Sequence, residues 1–160
     1  MNNGDRQRRM VEDFLYREAR LADERRFTEW AQLWAPGEVR YWAPPREDTD
    51  PQREVCLIYD DRHRLEQRIQ RWTSGFDWAQ DPPSLTRRIL GNIEVTSSDE
   101  NEVLASANVI ICISRRARAE IVAGRVTYRL QCQGDDFRIR EKRVVLLDPD
   151  APVGNLTFVL

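Results

Sequence analysis

Apolar positions along the chain follow two different periods, and the change from one to the other falls near the middle. From Val11 to Ala22, the residues Val11, Phe14, Leu15, Ala19 and Ala22 recur at helical spacing, with Glu12, Asp13, Arg17 and Glu18 between them. This pattern predicts an amphipathic helix. Asp23 is placed to cap a second, shorter helix whose apolar face is Phe27, Trp30, Ala31 and Trp34, and the Ala-Pro-Gly at 35–37 stops it. "EVRYW" and "EVCLIY" then read as short strands separated by the Pro- and Asp-rich loop "APPREDTDPQ". A third helix is predicted from Arg62 to Thr73, where Leu65, Ile69 and Trp72 fall at i, i+4 and i+7 and Arg62 and Glu66 form an exposed i,i+4 pair.

Beyond the loop "SGFDWAQDPPS" the period becomes two. Ile89, Gly91, Ile93 and Val95 form one alternating run, and Val103, Ala105, Ala107, Val109, Ile111 and Ile113 form a longer one. A third strand places Val122, Val126, Tyr128, Leu130 and Cys132 on one face and Arg125, Thr127, Arg129 and Gln131 on the other, and "QGDD" turns it into a fourth, Phe137 to Leu147. In that last strand Phe137 and Ile139 are odd while Val144 and Leu146 are even, so a bulge near Glu141 to Arg143 is expected. Long neighbouring strands with short connections make an antiparallel meander whose apolar face the helices must cover. The expected fold class is α+β, a curved antiparallel sheet wrapped around helices.

Composition narrows the setting. At 160 residues the chain is expected to form a single α+β domain over its whole length, burying roughly two-thirds of its unfolded surface. A net charge of −2 offers no electrostatic reason to expect nucleic acid or an anionic membrane as partner. The Arg-rich start "MNNGDRQRRM" is not followed by an apolar signal core, and no apolar run approaches a membrane span, so a cytoplasmic location is expected. Cys56, Cys112 and Cys132 are far apart and lie in strand-like runs, which favours buried free thiols.

Candidate chemistry is sparse. A Rieske cluster needs two His and two Cys, and a mononuclear iron facial triad needs two His and a carboxylate, so a chain whose sole histidine is His63 can build neither. No metal or catalytic residue is therefore expected in this chain. Glycine-rich nucleotide loops, a serine elbow and C-x-x-C are absent as well. Acid/base candidates are confined to Tyr59, Asp60, Asp61 and His63. Asp60 and Asp61 immediately precede a predicted helix and are better read as its cap, with His63 in the exposed first turn. "FDWAQDPPSLTRR", residues 76–88, is harder to explain as fold alone. It combines a loop Trp, two stiffening prolines and paired arginines, types enriched where proteins dock. Trp78, Asp81, Pro82, Pro83, Arg87 and Arg88 are the candidate interface residues.

Together, "IYDD" before an Arg- and Leu-rich helix, "TSGFDWAQDPPSLTRRILGNIEV" and the end "VVLLDPDAPVGNLTFVL" resemble the β (small) subunit of aromatic-ring-hydroxylating dioxygenases. Trp78, Ala79, Asp81, Pro82, Pro83, Ser84, Thr86, Arg87 and Arg88 match that family's W-A-x-D/E-P-P-S-x-T-R-R/H pattern. Leu85 departs from it where the family usually has Arg, and "ISRRARAEIVAGRVTYRL" is only loosely similar, with a shortened turn. The resemblance implies the cone-shaped α+β fold of the nuclear transport factor 2 and ketosteroid isomerase superfamily. It also implies assembly with a catalytic α subunit and other β subunits, commonly three α and three β. The Rieske 2Fe-2S cluster, mononuclear iron and substrate pocket would belong to α, with no cofactor in this chain. Two rival readings remain: an independent cone-fold lyase or isomerase with acid/base residues in an apolar cavity, and a stand-alone homo-oligomeric binding protein.

Overall fold

The computed structural model describes residues 3–74, 82–150 and 158–160. Helix α1 (Asn3–Asp23) starts well before the first apolar residue of its stripe, helix α2 spans Phe27–Gln32, and α3 covers Arg62–Thr73 as its spacing predicts. Among the described residues, strands β1 (Arg40–Ala43), β2 (Ile58–Asp60), β3 (Leu85–Ser98), β4 (Glu102–Arg115), β5 (Arg118–Gln133) and β6 (Asp136–Leu146) form one sheet in the order β2-β1-β6-β5-β4-β3. The long strands β3 to β6 are the expected antiparallel meander, and β1 joins β6 in parallel. Only the last residues of "EVCLIY" become strand; Val55 stands almost fully exposed before it.

The apolar slip in β6 is resolved by a bulge. Arg129 faces Glu141 and Leu130 faces Ile139, which leaves Arg140 as the extra residue, one position ahead of the expected stretch. Beyond it Lys142, Val144 and Leu146 all point inward. The same strand needs Gly124 opposite it, because a Cβ there would sit 2.5 Å from the Val145 carbonyl oxygen. The β4–β5 hairpin closes through Arg116 and Ala117, both at positive φ, a two-residue turn usually made with Asn or Gly.

The inward sheet face carries Val103, Ala105, Ala107, Ile111, Val126, Leu130, Ile139 and Val144, packed beneath the Val11, Phe14, Leu15 and Leu21 stripe of α1. Trp30, Trp34, Tyr41 and Trp72 close one end in edge-to-face contacts 5.5–6.0 Å between ring centroids. Phe158, Val159 and Leu160 are buried against this end, and the Leu160 N–H donates to Tyr41 Oη at 2.9 Å. The thiols differ from expectation: all three are free, but Cys112 is exposed on the outer sheet face, and Cys56 and Cys132 are only partly covered. The reason is parity, since Cys112 falls between the inward Ile111 and Ile113.

Candidate functional site

The residues nominated for acid/base work come together but are occupied. Tyr59, Asp60, Asp61 and His63 line an open cleft of about 790 Å³ with Arg40, Arg62 and residues of β4 to β6. Asp61 is the N-cap of α3 and accepts from the Arg64 N–H at 2.9 Å. Asp60 is not a cap. It is the last residue of β2, and its buried carboxylate takes a forked pair of bonds from Arg68 at 2.5 and 3.2 Å, which ties α3 to the sheet. The Arg62–Glu66 pair stretches to 4.0 Å, because Arg62 donates instead to the carbonyls of Ala35 and Gly37. His63 is exposed, with Gln67 as its hydrogen-bond partner at 3.1 Å. His63→Ala should accordingly change unfolding free energy by less than about 0.5 kcal/mol in a urea titration.

Polar groups are instead concentrated in the core between α1 and the sheet. Tyr41, Lys142 and Tyr128 form one cross-strand row on β1, β6 and β5, all facing inward. Above them Glu18 of α1, 1% exposed, accepts from Lys142 Nζ at 2.7 Å, from the Trp30 indole N–H at 2.7 Å and from Tyr128 Oη at 3.2 Å. The Lys142 ammonium lies 5.7–5.9 Å from the centroids of Trp30, Tyr41 and Tyr128, within cation–π range of each. Burial alone would raise the Glu18 pKa, but the Lys142 and Arg88 charges and the hydrogen bonds hold it below the ordinary glutamate value. Burial pulls the Lys142 ammonium down, with Glu18 opposing and Arg88 adding to the fall. Burial also raises the phenols of Tyr41 and Tyr128, so both stay protonated at neutral pH. A carboxylate saturated by three donors in packed surroundings is a poor base.

A second buried pair lies nearby. Asp23, at the end of α1, does not cap α2, whose N-cap is Arg26. Its carboxylate accepts from Thr86 Oγ1 at 2.8 Å and from the Arg88 N–H and Nε at 2.9 and 2.8 Å, which anchors β3 to α1. This corrects the interface expectation for Arg88, whose side chain is 2% exposed and engaged within the chain. Arg87 points the other way, to the outer face. Pro82 and Pro83 are exposed, and the Pro82 carbonyl accepts from Arg115 Nε at 3.1 Å. Trp78 and Asp81 lie outside the described residues.

Sequence reasoning does not single out Glu18 or Lys142 and gives Asp23 only a capping role, although a signal for the first two exists. Glu18 follows Phe14 by four residues and Leu15 by three, which puts it on the apolar stripe, and Lys142 shares the parity of Val144 and Leu146. Among the described residues no cluster of three or more His, Cys, Asp or Glu could hold a metal ion, and no helix is long and apolar enough to cross a membrane.

A family model described as ring hydroxylating beta subunit matches residues 17–150. The N,N-dimethyl phenylurea N-demethylase subunit beta of Sphingobium sp. (strain YBL2) is 30% identical over 155 residues, covering 92% of this chain and 88% of that protein. The benzoate 1,2-dioxygenase subunit beta of Acinetobacter baylyi is 31% identical over 142 residues, covering 85% and 83%. The crystal structure of the benzoate 1,2-dioxygenase β subunit from Burkholderia mallei superposes with a TM-score of 0.76 at 25% identity, over 93% of this chain and 95% of that one. An NTF2-like protein with a cystatin-like fold from Novosphingobium aromaticivorans shares the fold, with a TM-score of 0.59 at 16% identity over 90% of this chain and 84% of that one. A family model that matches most of the chain, together with relatives at 30% and 31% identity that are the β subunits of a demethylase and of a dioxygenase, leads to one conclusion: the chain belongs to the ring-hydroxylating β-subunit family.

Proposed function

We propose that this chain is the structural small subunit of a Rieske non-haem iron aromatic-ring-hydroxylating dioxygenase, supporting assembly of catalytic α subunits in the cytoplasm. The α subunit would carry the Rieske 2Fe-2S cluster, the mononuclear iron and the substrate pocket, in a complex of three α and three β. Residues Trp78, Asp81, Pro82, Pro83 and Arg87 are proposed contributors to its subunit contacts. The observation that most supports a non-catalytic role is the buried polar cluster. Glu18, Lys142, Trp30, Tyr41 and Tyr128 are buried between α1 and the sheet, and the Glu18 carboxylate is occupied by three donors, where a lyase or isomerase would need an available base.

The isolated chain should contain no stoichiometric iron after purification and should oxidise no arene when supplied with reductant and oxygen. Metal analysis and product chromatography test this. Iron at one atom per chain, or turnover without an α subunit, would refute it.

A further inference from the structure

Phe158, Val159 and Leu160 belong to none of the six strands of the sheet, yet they are 7%, 1% and 2% exposed. An extended stretch lying on one surface buries alternate residues, so three consecutive buried side chains need walls on more than one side. The segment therefore lies in a groove. One wall is Tyr41, whose Oη accepts the Leu160 N–H at 2.9 Å and whose ring packs edge-to-face on Trp30 and Trp34, 6.0 and 5.9 Å between centroids. The chain leaves β6 at Leu146, beyond Lys142, and Leu160 brings it back to Tyr41, the β1 neighbour of Lys142.

The attachment of this segment differs from that of the rest of the core. The long strands are held by ladders of backbone bonds, and α1 by the buried ion pairs of Glu18 and Asp23, whereas the Leu160 amide is tied to a side chain. A segment outside every ladder can leave without breaking one. The aromatic end is also less fully satisfied than the polar cluster beside it. Trp34 is 5% exposed and its indole N–H has no acceptor, whereas Glu18 takes the Trp30 indole N–H at 2.7 Å. A buried donor left unpaired costs stability, so this end is the weaker part of the core. Its walls do not depend on the segment: Trp30 packs edge-to-face on Trp34, Tyr41 and Trp72, which come from the turn after α2, from β1 and from α3.

We propose that Phe158–Leu160 is a detachable strap seated in an apolar peptide-binding groove at the aromatic end of the core, and that it opens as a unit while the rest of the cone stays folded. This goes beyond the assembly role and does not rest on it. A chain shortened to end at Thr157, mixed with an acetylated peptide of residues 155–160, tests the proposal. The shortened chain should keep the parent's circular dichroism spectrum and a cooperative thermal transition. The peptide should change its tryptophan fluorescence saturably, and the intact chain, its groove already filled, should respond at least about tenfold more weakly. Val159→Asp in the peptide should abolish binding, since it carries a charge into an apolar site. Tyr41→Phe in the shortened chain should weaken binding by about fivefold to tenfold, because the Leu160 N–H loses its acceptor. Hydrogen exchange on the intact chain gives a second reading: the Leu160 amide should exchange about a hundredfold faster than the amides of the β4–β5 ladder. A shortened chain that unfolds overturns the proposal, as does one that folds but ignores the peptide, or a Leu160 amide that exchanges no faster than the central ladder.

Discussion

Lys142→Met should destabilise the folded chain by about 3–5 kcal/mol, read as a shift in the urea midpoint, because it leaves Glu18 charged and buried with its cation removed. Adding Glu18→Gln should recover at least half of that loss. The amide keeps an acceptor for the Trp30 N–H and removes the stranded charge, and a neutral pair avoids the cost of taking two ions out of water. The lowered pKa values of the partners point in different directions about this pair. Burial costs both ions; for Glu18 the Lys142 and Arg88 charges and its hydrogen bonds outweigh that cost, whereas for Lys142 the attraction of Glu18 does not, and Arg88 adds to the fall. Net, the ammonium is a burden that Glu18 only partly offsets, so the neutral double variant is tolerable. A silent Lys142→Met, or a double variant no better than the single, would sink this account.

The pair also sets a pH dependence. A carboxyl whose folded pKa lies below its unfolded one adds stability that is complete above the unfolded value and disappears as pH falls through the folded one. Glu18 is such a group. The parent should therefore lose stability on acidification below the ordinary glutamate range, and the Glu18→Gln, Lys142→Met variant should lose less of it over the same interval.

Arg88→Ala is expected to be equally damaging, at about 3–5 kcal/mol and a fall of roughly 10 °C in melting temperature. The substitution strands Asp23 at 7% exposure and loosens the tie between the end of α1 and β3. Arg87→Ala, one residue away, should stay within about 0.5 kcal/mol of the parent, since its side chain faces outward. Thermal melts of the isolated chain decide the matter. Similar melting temperatures for the two variants would show that the Asp23–Arg88 pair contributes little.

The contrast between these arginines shows where sequence reading reaches its limit. "TRR" at 86–88 reads as a surface motif, since paired arginines are seldom buried. Alternation along β3 nevertheless sends them to opposite faces, and Asp23, more than sixty residues earlier, turns the inward one into a core residue. Asp60 departs from its expected role for a related reason. Its position before a helix suggests a cap, but Asp61 has the capping geometry, and Asp60 ends a strand with Arg68 one helical face away. The bulge in β6 was legible because it breaks a strong alternation, whereas its consequence, an inward lysine, required knowing where the alternation resumes.

Local periodicity and residue inventory suffice for the outline of the fold and for the chemistry this chain lacks. The three helices, the four long strands and the phase slip in β6 all arise from spacing. With one histidine, the chain also lacks the ligands for a Rieske cluster or a facial triad, whatever its fold. Spacing can point Glu18 and Lys142 inward, but the pairing of the polar core is settled by tertiary packing. Glu18, Lys142, Asp23 and Arg88 come from three elements far apart in the chain, and each by itself is an ordinary surface type. Desolvation makes a lone buried charge too costly, so such residues enter a core only when the fold delivers partners of opposite sign and the matching hydrogen bonds at the same point, and no local pattern encodes that meeting.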